Sequence, residues 1–211
     1  EEVAEKLQNS LALTDRAAEI PKTDVIRKAE KVREITETMD ISQGKLSIGF
    51  RTGSCMYDED YLSFSLFCTL FGSSPTSRLF LNVREKLSLC YYASSAVYLH
   101  KGIMLVSSGI ECKNFAAARD EIRAQFEEMK NGAITPGEID TAKKCLINTY
   151  KSAEDSLKGV VSFYMGQIIS GSDSAPEDMA KRILSVTKEE IMAVAAKVNE
   201  SVTYFLKGGE N

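Results

Sequence analysis

The spacing of the apolar residues changes near Asn114, and this change limits the folds that the chain can adopt. Before this point, apolar and polar residues alternate in several short runs, as they do along half-buried strands. After it, Phe115, Ala118, Ile122 and Phe126 recur at helical spacing and share one stripe of a helix. Strands that are followed mainly by helices indicate an α+β fold, in which the helices cover a sheet.

The strand pattern predicts a sheet whose strands come mostly from the first half of the chain. Residues 32–41 and 45–51 alternate on either side of a Ser-Gln-Gly turn, which predicts a hairpin of two half-buried strands. Residues 89–99 and 102–110 predict two longer strands, and the second is apolar on both faces, as expected of an interior strand. Residues 202–206 predict a last short strand that returns to the edge of the sheet.

Helix starts and stops are marked by capping residues. Residues 58–71 and 76–86 predict two helices separated by a Gly-Ser-Ser-Pro stop, and the helix after Asn114 should end at Asn131-Gly132. A hydroxyl residue followed three positions later by Glu is the capping-box spacing, in which the two residues cap each other's backbone N–H. Three pairs have this spacing: Thr135/Glu138, Ser174/Glu177 and Thr187/Glu190.

We therefore expect residues 1–211 to form one domain with an α+β fold. The fold should be a two-layer sandwich, with a largely antiparallel mixed sheet and helices packed on one face. The other face of the sheet is then left for a partner or a ligand.

Composition excludes several classes of function. A net charge of −4 without any Lys/Arg-rich run gives no general attraction to nucleic acid, and no apolar stretch approaches the length that spans a membrane. The 5 cysteines are widely spaced and form no C-x-x-C pair, which favours a reducing cytoplasm over a disulfide framework. The first residues have the charged character of a helix surface, as in a chain cut from a longer protein.

The residues needed for catalysis are missing. A zinc peptidase needs at least two imidazoles and a carboxylate base, yet His100 is the 1 histidine of the chain, and its position at a strand end is typical of a surface histidine. No phosphate-binding loop, dinucleotide fingerprint or nucleophile elbow occurs. The Gly72-Ser73-Ser74 turn is interpreted as a helix cap instead of an anion site. We expect no catalytic residue and no metal ligand set in this chain.

Residues 72–92 carry a more specific pattern. A run of small residues is followed by S-R-L-F at 77–80, R-E-K at 84–86 and, after a short gap, L-x-Y at 89–91. This stretch resembles the insulinase-like (M16) zinc peptidase family. The later order of two strands, a helix, a T-P-x-E helix start, further helices and a last strand is also similar, and Gln43, Gly44, Lys45, Arg51 and Thr52 add weaker support.

The resemblance implies the fold of that family and a role for this chain within it. Family members are built from related domains that close on an unfolded peptide, and one domain carries H-x-x-E-H and a distal Glu for zinc. This chain lacks those ligands, so the resemblance implies a C-terminal, non-catalytic domain of a short bacterial member, part of a longer two-domain protein. It implies no cofactor in this chain, zinc in the partner domain or in a sibling subunit, and a peptide substrate.

The resemblance also implies two substrate-binding residues, Arg84 and Tyr91, which have the family's spacing of an Arg and a Tyr. A guanidinium offers several donors, and a phenol can donate to a developing oxyanion. From the pattern alone, Arg84 would be a solvated cation in the last turn of a helix. Strand alternation would place Tyr91 on the apolar face and Tyr92 on the other, unless a bulge reverses the two, so Tyr92 remains a rival.

Two other functions stay open at this level. The chain could belong to a catalytically silent scaffold of a peptidase-like complex, or it could be an independent ligand-binding module. An H-x-x-E-H motif elsewhere in the parent protein would favour the peptidase over the scaffold.

Overall fold

The computed structural model describes residues 2–10 and 24–208, which form a five-stranded sheet and seven α-helices. The strands are β1 (Arg33–Met39), β2 (Gly44–Arg51), β3 (Cys90–Tyr98), β4 (Ile103–Ile110) and β5 (Asn199–Gly208). The helices are α1 (Glu2–Ser10), α2 (Tyr61–Cys68), α3 (Phe115–Lys130), α4 (Pro136–Ser152), α5 (Leu157–Ser170), α6 (Pro176–Ser185) and α7 (Lys188–Lys197). Two π-helical segments, Thr69–Ser73 and Leu79–Lys86, follow α2. The α+β prediction is confirmed.

The order of the strands in the sheet is β1-β5-β2-β4-β3. All neighbours are antiparallel except β1 and β5, which are parallel, so the sheet is mixed and largely antiparallel as expected. The interior position predicted for β4 is confirmed, since β4 lies between β2 and β3.

Three predictions about the sheet are wrong. The first two strands do not form a hairpin, because β5 lies between them and pairs with both. For the same reason, the last strand is interior instead of lying at the edge, and it is longer than the predicted segment 202–206. Every residue of β1 is exposed, although the alternation predicted a half-buried strand. Alternation within a segment indicates a strand but does not identify its neighbour.

The core lies between one face of the sheet and the helices. The inward residues of β2 and β4 meet three stacked phenylalanines of α2 and the segment after it, together with Phe126 of α3. Helix α2 is buried on nearly all sides because it lies between this core and a second cluster formed with α6. Its Tyr61 hydroxyl donates to Met179 Sδ at 3.0 Å in that second cluster. Because α2 has apolar neighbours on several sides, the apolar residues of segment 58–71 are not confined to one stripe of the helix.

Two of the three predicted capping boxes are observed. Thr135 accepts from the Glu138 N–H at 3.2 Å and Thr187 accepts from the Glu190 N–H at 3.2 Å, and each Glu side chain accepts in return. The third prediction is off by one residue: α6 is capped at Ala175, whose N–H donates to Asp178 Oδ2 at 3.2 Å. Proline at the first helical position fixes this start more strongly than the Ser174/Glu177 spacing does.

Candidate functional site

Arg84 lies in the last turn of the Leu79–Lys86 helix, and its side chain is 40% exposed. The guanidinium stacks on the Phe80 ring, 4.7 Å from its centroid, and its Nη1 lies 3.5 Å from Glu85 Oε1. An exposed pair of this length contributes little to stability. Among the residues that the structure describes, most of the donor capacity of Arg84 is therefore free to bind another molecule.

Tyr91 occupies a bulge at the start of β3. Cys90 pairs with Ile110 and Tyr92 pairs with Gly109, so that Tyr91 is the extra residue between two ladder positions. Its side chain is 59% exposed. Strand alternation alone placed this residue in the core, and that expectation is wrong because the bulge breaks the alternation. Tyr91 and Tyr92 are both accessible.

Cys90 lies at one corner of the sheet, between Tyr91 along the chain and the helix that carries Arg84. Burial raises the pKa of the Cys90 thiol, and a hydrogen bond with Ser108 and the nearby charge of Arg84 partly offset this rise. The backbone of Ser88, with φ of 50°, turns the chain from the helix of Arg84 into β3. A small cavity of 80 Å³ at this corner is lined by Ser88, Leu89, Cys90, Tyr91, Glu111 and Asn114. Tyr91 follows Cys90 directly in β3, and Arg84 lies near enough for its charge to act on the Cys90 thiol.

Tyr92 belongs to the face of the sheet opposite the core, which we call the open face. Its side chains include Tyr92, Ser94, Ala96 and Tyr98 of β3, Ile103, Leu105, Ser107 and Gly109 of β4, and Lys45, Ser47, Gly49 and Arg51 of β2. Among the described residues, the large buried side chains of β2, β3 and β4 all lie on the other face. The prediction that helices cover only one face of the sheet is confirmed.

The open face has an ordered mixture of polar and apolar rows. Ser94, Ser107 and Ser47 are neighbours across three strands and form a row of hydroxyls. The next row contains Ala96 and Leu105, and β5 adds half-buried Val202, Tyr204 and Leu206 on the far side. A face of this kind offers both hydrogen-bonding groups and apolar contacts to a bound chain.

Lys45 and Gln43 extend the candidate site next to Tyr92. Lys45 Nζ lies 5.6 Å from the centroid of the Tyr92 ring and donates to Gln43 Oε1. The ring lies over Gly109, where an added Cβ would be 2.5 Å from Tyr92 Cε1. The sequence suggested Gln43 and Lys45 only through the resemblance. The contact of Lys45 with Tyr92 could not be predicted, because it depends on the pairing of β2 with β4 and of β4 with β3.

Arg78, the arginine of the S-R-L-F stretch, has a structural role. Its side chain is 13% exposed, with Nε 2.8 Å from Glu138 Oε1 and Nη1 3.2 Å from Glu128 Oε2. It also donates to the backbone oxygen of Ala133. The motif arginine therefore joins the Leu79–Lys86 helix to the end of α3 and the start of α4.

The Gly72-Ser73-Ser74 turn covers part of the outer edge of β3. Ser73 Oγ donates to the Ser95 backbone oxygen at 2.7 Å. A Cβ on Gly72 would lie 2.7 Å from the Ser95 backbone nitrogen and from Leu79 Cδ1, so only glycine allows this approach. The turn serves packing in this structure.

His100 is half-buried beside the Tyr57 ring, and its Nδ1 has no hydrogen-bond partner among the described residues. Within residues 2–10 and 24–208, no three His, Cys, Asp or Glu side chains form a group that could hold a metal ion. Over the same part of the chain, no helix combines the length and the apolar character needed to cross a membrane.

Comparisons with known proteins give consistent results. A family model described as the peptidase M16 inactive domain matches residues 1–146. The probable inactive metalloprotease YmfF of Bacillus subtilis (strain 168) is 41% identical over 183 residues, which are 86% of this chain and 43% of that protein. Both matches extend over most of the chain.

Solved structures support the same fold. The crystal structure of a conserved protein from Enterococcus faecalis V583 has a TM-score of 0.85 and 31% identity, and covers 100% of this chain and 50% of that chain. The peptidase M16 inactive domain from Pseudomonas fluorescens has a TM-score of 0.75 at 19% identity, and again covers 100% of this chain and 50% of that chain. The chain thus spans about half the length of these relatives.

Proposed function

Since this chain belongs to the M16 peptidase family and matches its inactive domain, we propose that it is the non-catalytic, peptide-binding half of a zinc metallopeptidase. In this proposal residues 1–211 are one M16-type domain of a longer, two-domain protein. The domain closes on a partner that carries H-x-x-E-H, either in the same chain or in a sibling subunit, and the two enclose an unfolded peptide. The zinc is held by that partner, and the protein works in the cytoplasm.

The open face is the observation that carries this proposal. An extended peptide presents backbone donors and acceptors along its length and side chains at alternate positions. The serine row of Ser47, Ser94 and Ser107 can bond to a peptide backbone. The row of Ala96, Leu105 and Val202 on one side can take apolar side chains, and the row of Tyr92, Lys45 and Leu206 on the other side offers a mixed surface. A sheet face with these properties and no covering helix among the described residues supports peptide binding.

Arg84 and Tyr91 are proposed to hold the peptide at the end of the sheet where β3 begins. Arg84 keeps free donors because its partner Glu85 is exposed and 3.5 Å away. A guanidinium can bind a peptide carbonyl through two N–H groups, and its charge is independent of pH over the physiological range. Tyr91 stands clear of the ladder at the bulge, so that its hydroxyl can reach the same peptide, with Tyr92 as its neighbour on the open face.

A second candidate function is a catalytically silent scaffold of a peptidase-like complex. The observation that favours it is the name of the relative in Bacillus subtilis, a probable inactive metalloprotease. If the parent protein is inactive, as that name says of the relative, no peptide is cleaved, and in this second proposal the fold serves assembly alone.

The test uses the full-length protein, with its zinc-bearing sibling if its own chain lacks H-x-x-E-H. Arg84→Ala removes charge-assisted hydrogen bonds of about 1.5–3 kcal/mol, so that kcat/KM for an unfolded peptide should fall roughly ten- to a hundredfold. Tyr91→Phe should give a smaller loss of the same kind, and Tyr92→Phe tests the rival tyrosine. The melting temperature should change little in each variant, because none of these side chains is buried.

Arg182→Ala is the matched control, since Arg182 also stacks on an aromatic ring, 5.5 Å from the Tyr61 centroid, but lies on the outer helix α6. It should retain full turnover. Equal turnover in the Arg84, Tyr91 and wild-type proteins would show that the assigned pair is structural. A wild-type protein that cleaves no peptide, even with its zinc-bearing partner, would favour the scaffold.

A further inference from the structure

Helix α5 exposes its apolar side and buries a polar residue. Leu157 is 82% exposed and Ile168 is 77% exposed, while Gln167 is only 4% exposed. Val161, Tyr164, Met165 and Ile169 are also exposed large apolar residues of the same helix. At 100° per residue these six side chains fall within one arc of the helix surface, and Gln167 lies outside that arc. We call this arc the α5 face.

The helix itself is well defined, so the exposed residues do not belong to a frayed segment. Ser156 caps its start by accepting from the Gly159 N–H at 3.0 Å, and Gly171, with φ of 73°, ends it. Phe163 anchors the opposite side, with its ring 6.1 Å from that of Tyr150. The α5 face is thus held outward by packing on its other side.

The chemistry of the α5 face limits what can cover it. Lys158, the only charged residue of the helix, lies near one margin of this arc, so the complementary surface must be largely apolar as well. A helix that lies on a membrane usually carries several Lys or Arg residues on its polar side, and α5 has one. Monomeric proteins rarely expose contiguous apolar patches of more than a few hundred Å², so a surface of this kind indicates a protein interface.

The length of the relatives indicates which protein surface covers the α5 face. The chain covers 43% of the relative in Bacillus subtilis and 50% of the chain from Enterococcus faecalis, so about half of such a protein lies outside residues 1–211. We propose that the α5 face packs against that other half within the same full-length chain. This inference depends on the proposed function in one respect: it takes the other half of the protein to be an M16 domain.

The position of α5 makes the contact compatible with peptide binding. Phe163 packs on the second cluster around Tyr61, Leu62 and Met179, which α2 shares with α6. The open face lies on the opposite side of the sheet from α2. A domain docked on α5 therefore leaves the open face clear, and the zinc-bearing partner that closes on that face is then a sibling subunit.

Site-specific photo-crosslinking in the full-length protein tests the inference. A benzophenone amino acid replaces Ile168, whose side chain already points into solvent, and the irradiated protein is digested and analysed by mass spectrometry. The expected product has the mass of one chain and joins position 168 to a peptide outside residues 1–211. The same probe at Lys144, a solvent-exposed residue of α4, is the control and should give no such product. With the probe at Tyr164, the added substitution Ile168→Asp should abolish the cross-link.

Other outcomes would overturn the inference. A product of twice the mass that joins position 168 to residues 1–211 of a second copy would identify a homodimer surface. A cross-link to lipid in the presence of vesicles of phosphatidylglycerol would identify a membrane surface, and no cross-link at all would show an unoccupied face. Peptide turnover is measured separately, so that a cross-link without turnover refutes only the proposed function, and turnover without a cross-link refutes only this inference.

Discussion

Replacement of Arg78 by alanine should lower the free energy of unfolding more than the replacement of any other charged residue in the same part of the structure. The guanidinium bonds to Glu138 through Nε at 2.8 Å and Nη2 at 3.2 Å, and also to the Ala133 backbone oxygen. A charge-assisted hydrogen bond contributes about 1.5–3 kcal/mol when it is shielded from water. Glu138 is partly exposed, so we take the low end of this range once for the bidentate Glu138 pair and once for the Ala133 contact, and expect a loss of about 3 kcal/mol at pH 7.

The pH dependence separates the ion pair from packing. Burial would raise the pKa of Glu138, but hydrogen bonds with Arg78 and Thr135 lower it below the usual value of 4.5. A carboxylate whose pKa is lower in the folded state stabilises the protein above its unfolded pKa. This contribution is lost as the pH falls through the folded pKa. The difference in unfolding free energy between wild type and Arg78→Ala should therefore shrink below pH 4.5.

Urea denaturation at pH 7 and at about pH 3 measures both effects. Glu128→Gln is the control within the same network, because the Glu128 carboxylate is exposed and its pair with Arg78 should contribute at most about 0.5 kcal/mol. A loss under 1 kcal/mol for Arg78→Ala at pH 7 would refute the structural role of the motif arginine. An equal loss at both pH values would show that packing, and not the ion pair, is responsible.

Two further predictions concern the edge of the sheet and the absence of a metal site. Gly72→Ala should lower the unfolding free energy by roughly 2–3 kcal/mol in urea denaturation, because the new Cβ would lie 2.7 Å from the Ser95 backbone nitrogen. Gly166→Ala is its control and should be neutral or stabilising, since nothing lies within 4 Å of that Cβ. Residues 1–211 should bind no stoichiometric zinc, because one histidine cannot supply the ligand set, and about one zinc per chain retained in mild chelator would contradict this.

Local patterns in the sequence predicted most of the elements but not how the strands pair. The stripe of Ala118, Ile122 and Phe126 predicted α3 because helical spacing depends only on neighbours along the chain. The predicted neighbour of β1 was wrong, because the pairing of β1 with β5 depends on residues that are far apart in sequence. The cap at Ala175 was missed by one residue, since Ser174 satisfied the same spacing rule.

The candidate site was predicted less completely than the fold. Arg84 and Tyr91 came from resemblance. The structure places Tyr91 in the bulge next to Cys90, and Arg84 near enough for its charge to act on the Cys90 thiol. Alternation misplaced Tyr91 because a bulge adds one residue without any clear signal in the sequence. The contact of Lys45 with Tyr92 can be predicted only when the strand register is known. The α5 face was not predicted, because an apolar helix usually indicates burial.

The insertion of β5 between β1 and β2 has a consequence for the timing of folding. Arg33 pairs with Val202, so β1 has no ladder partner until the end of the described chain has been synthesised. At about 5–20 residues per second, this delay on the ribosome is roughly ten to thirty seconds. During that time an emerging strand with unpaired edges is available for wrong pairing, and such non-local contacts form slowly even in a released chain. The order of the strands therefore leaves β1 without its partner, and open to wrong pairing, until the last strand arrives.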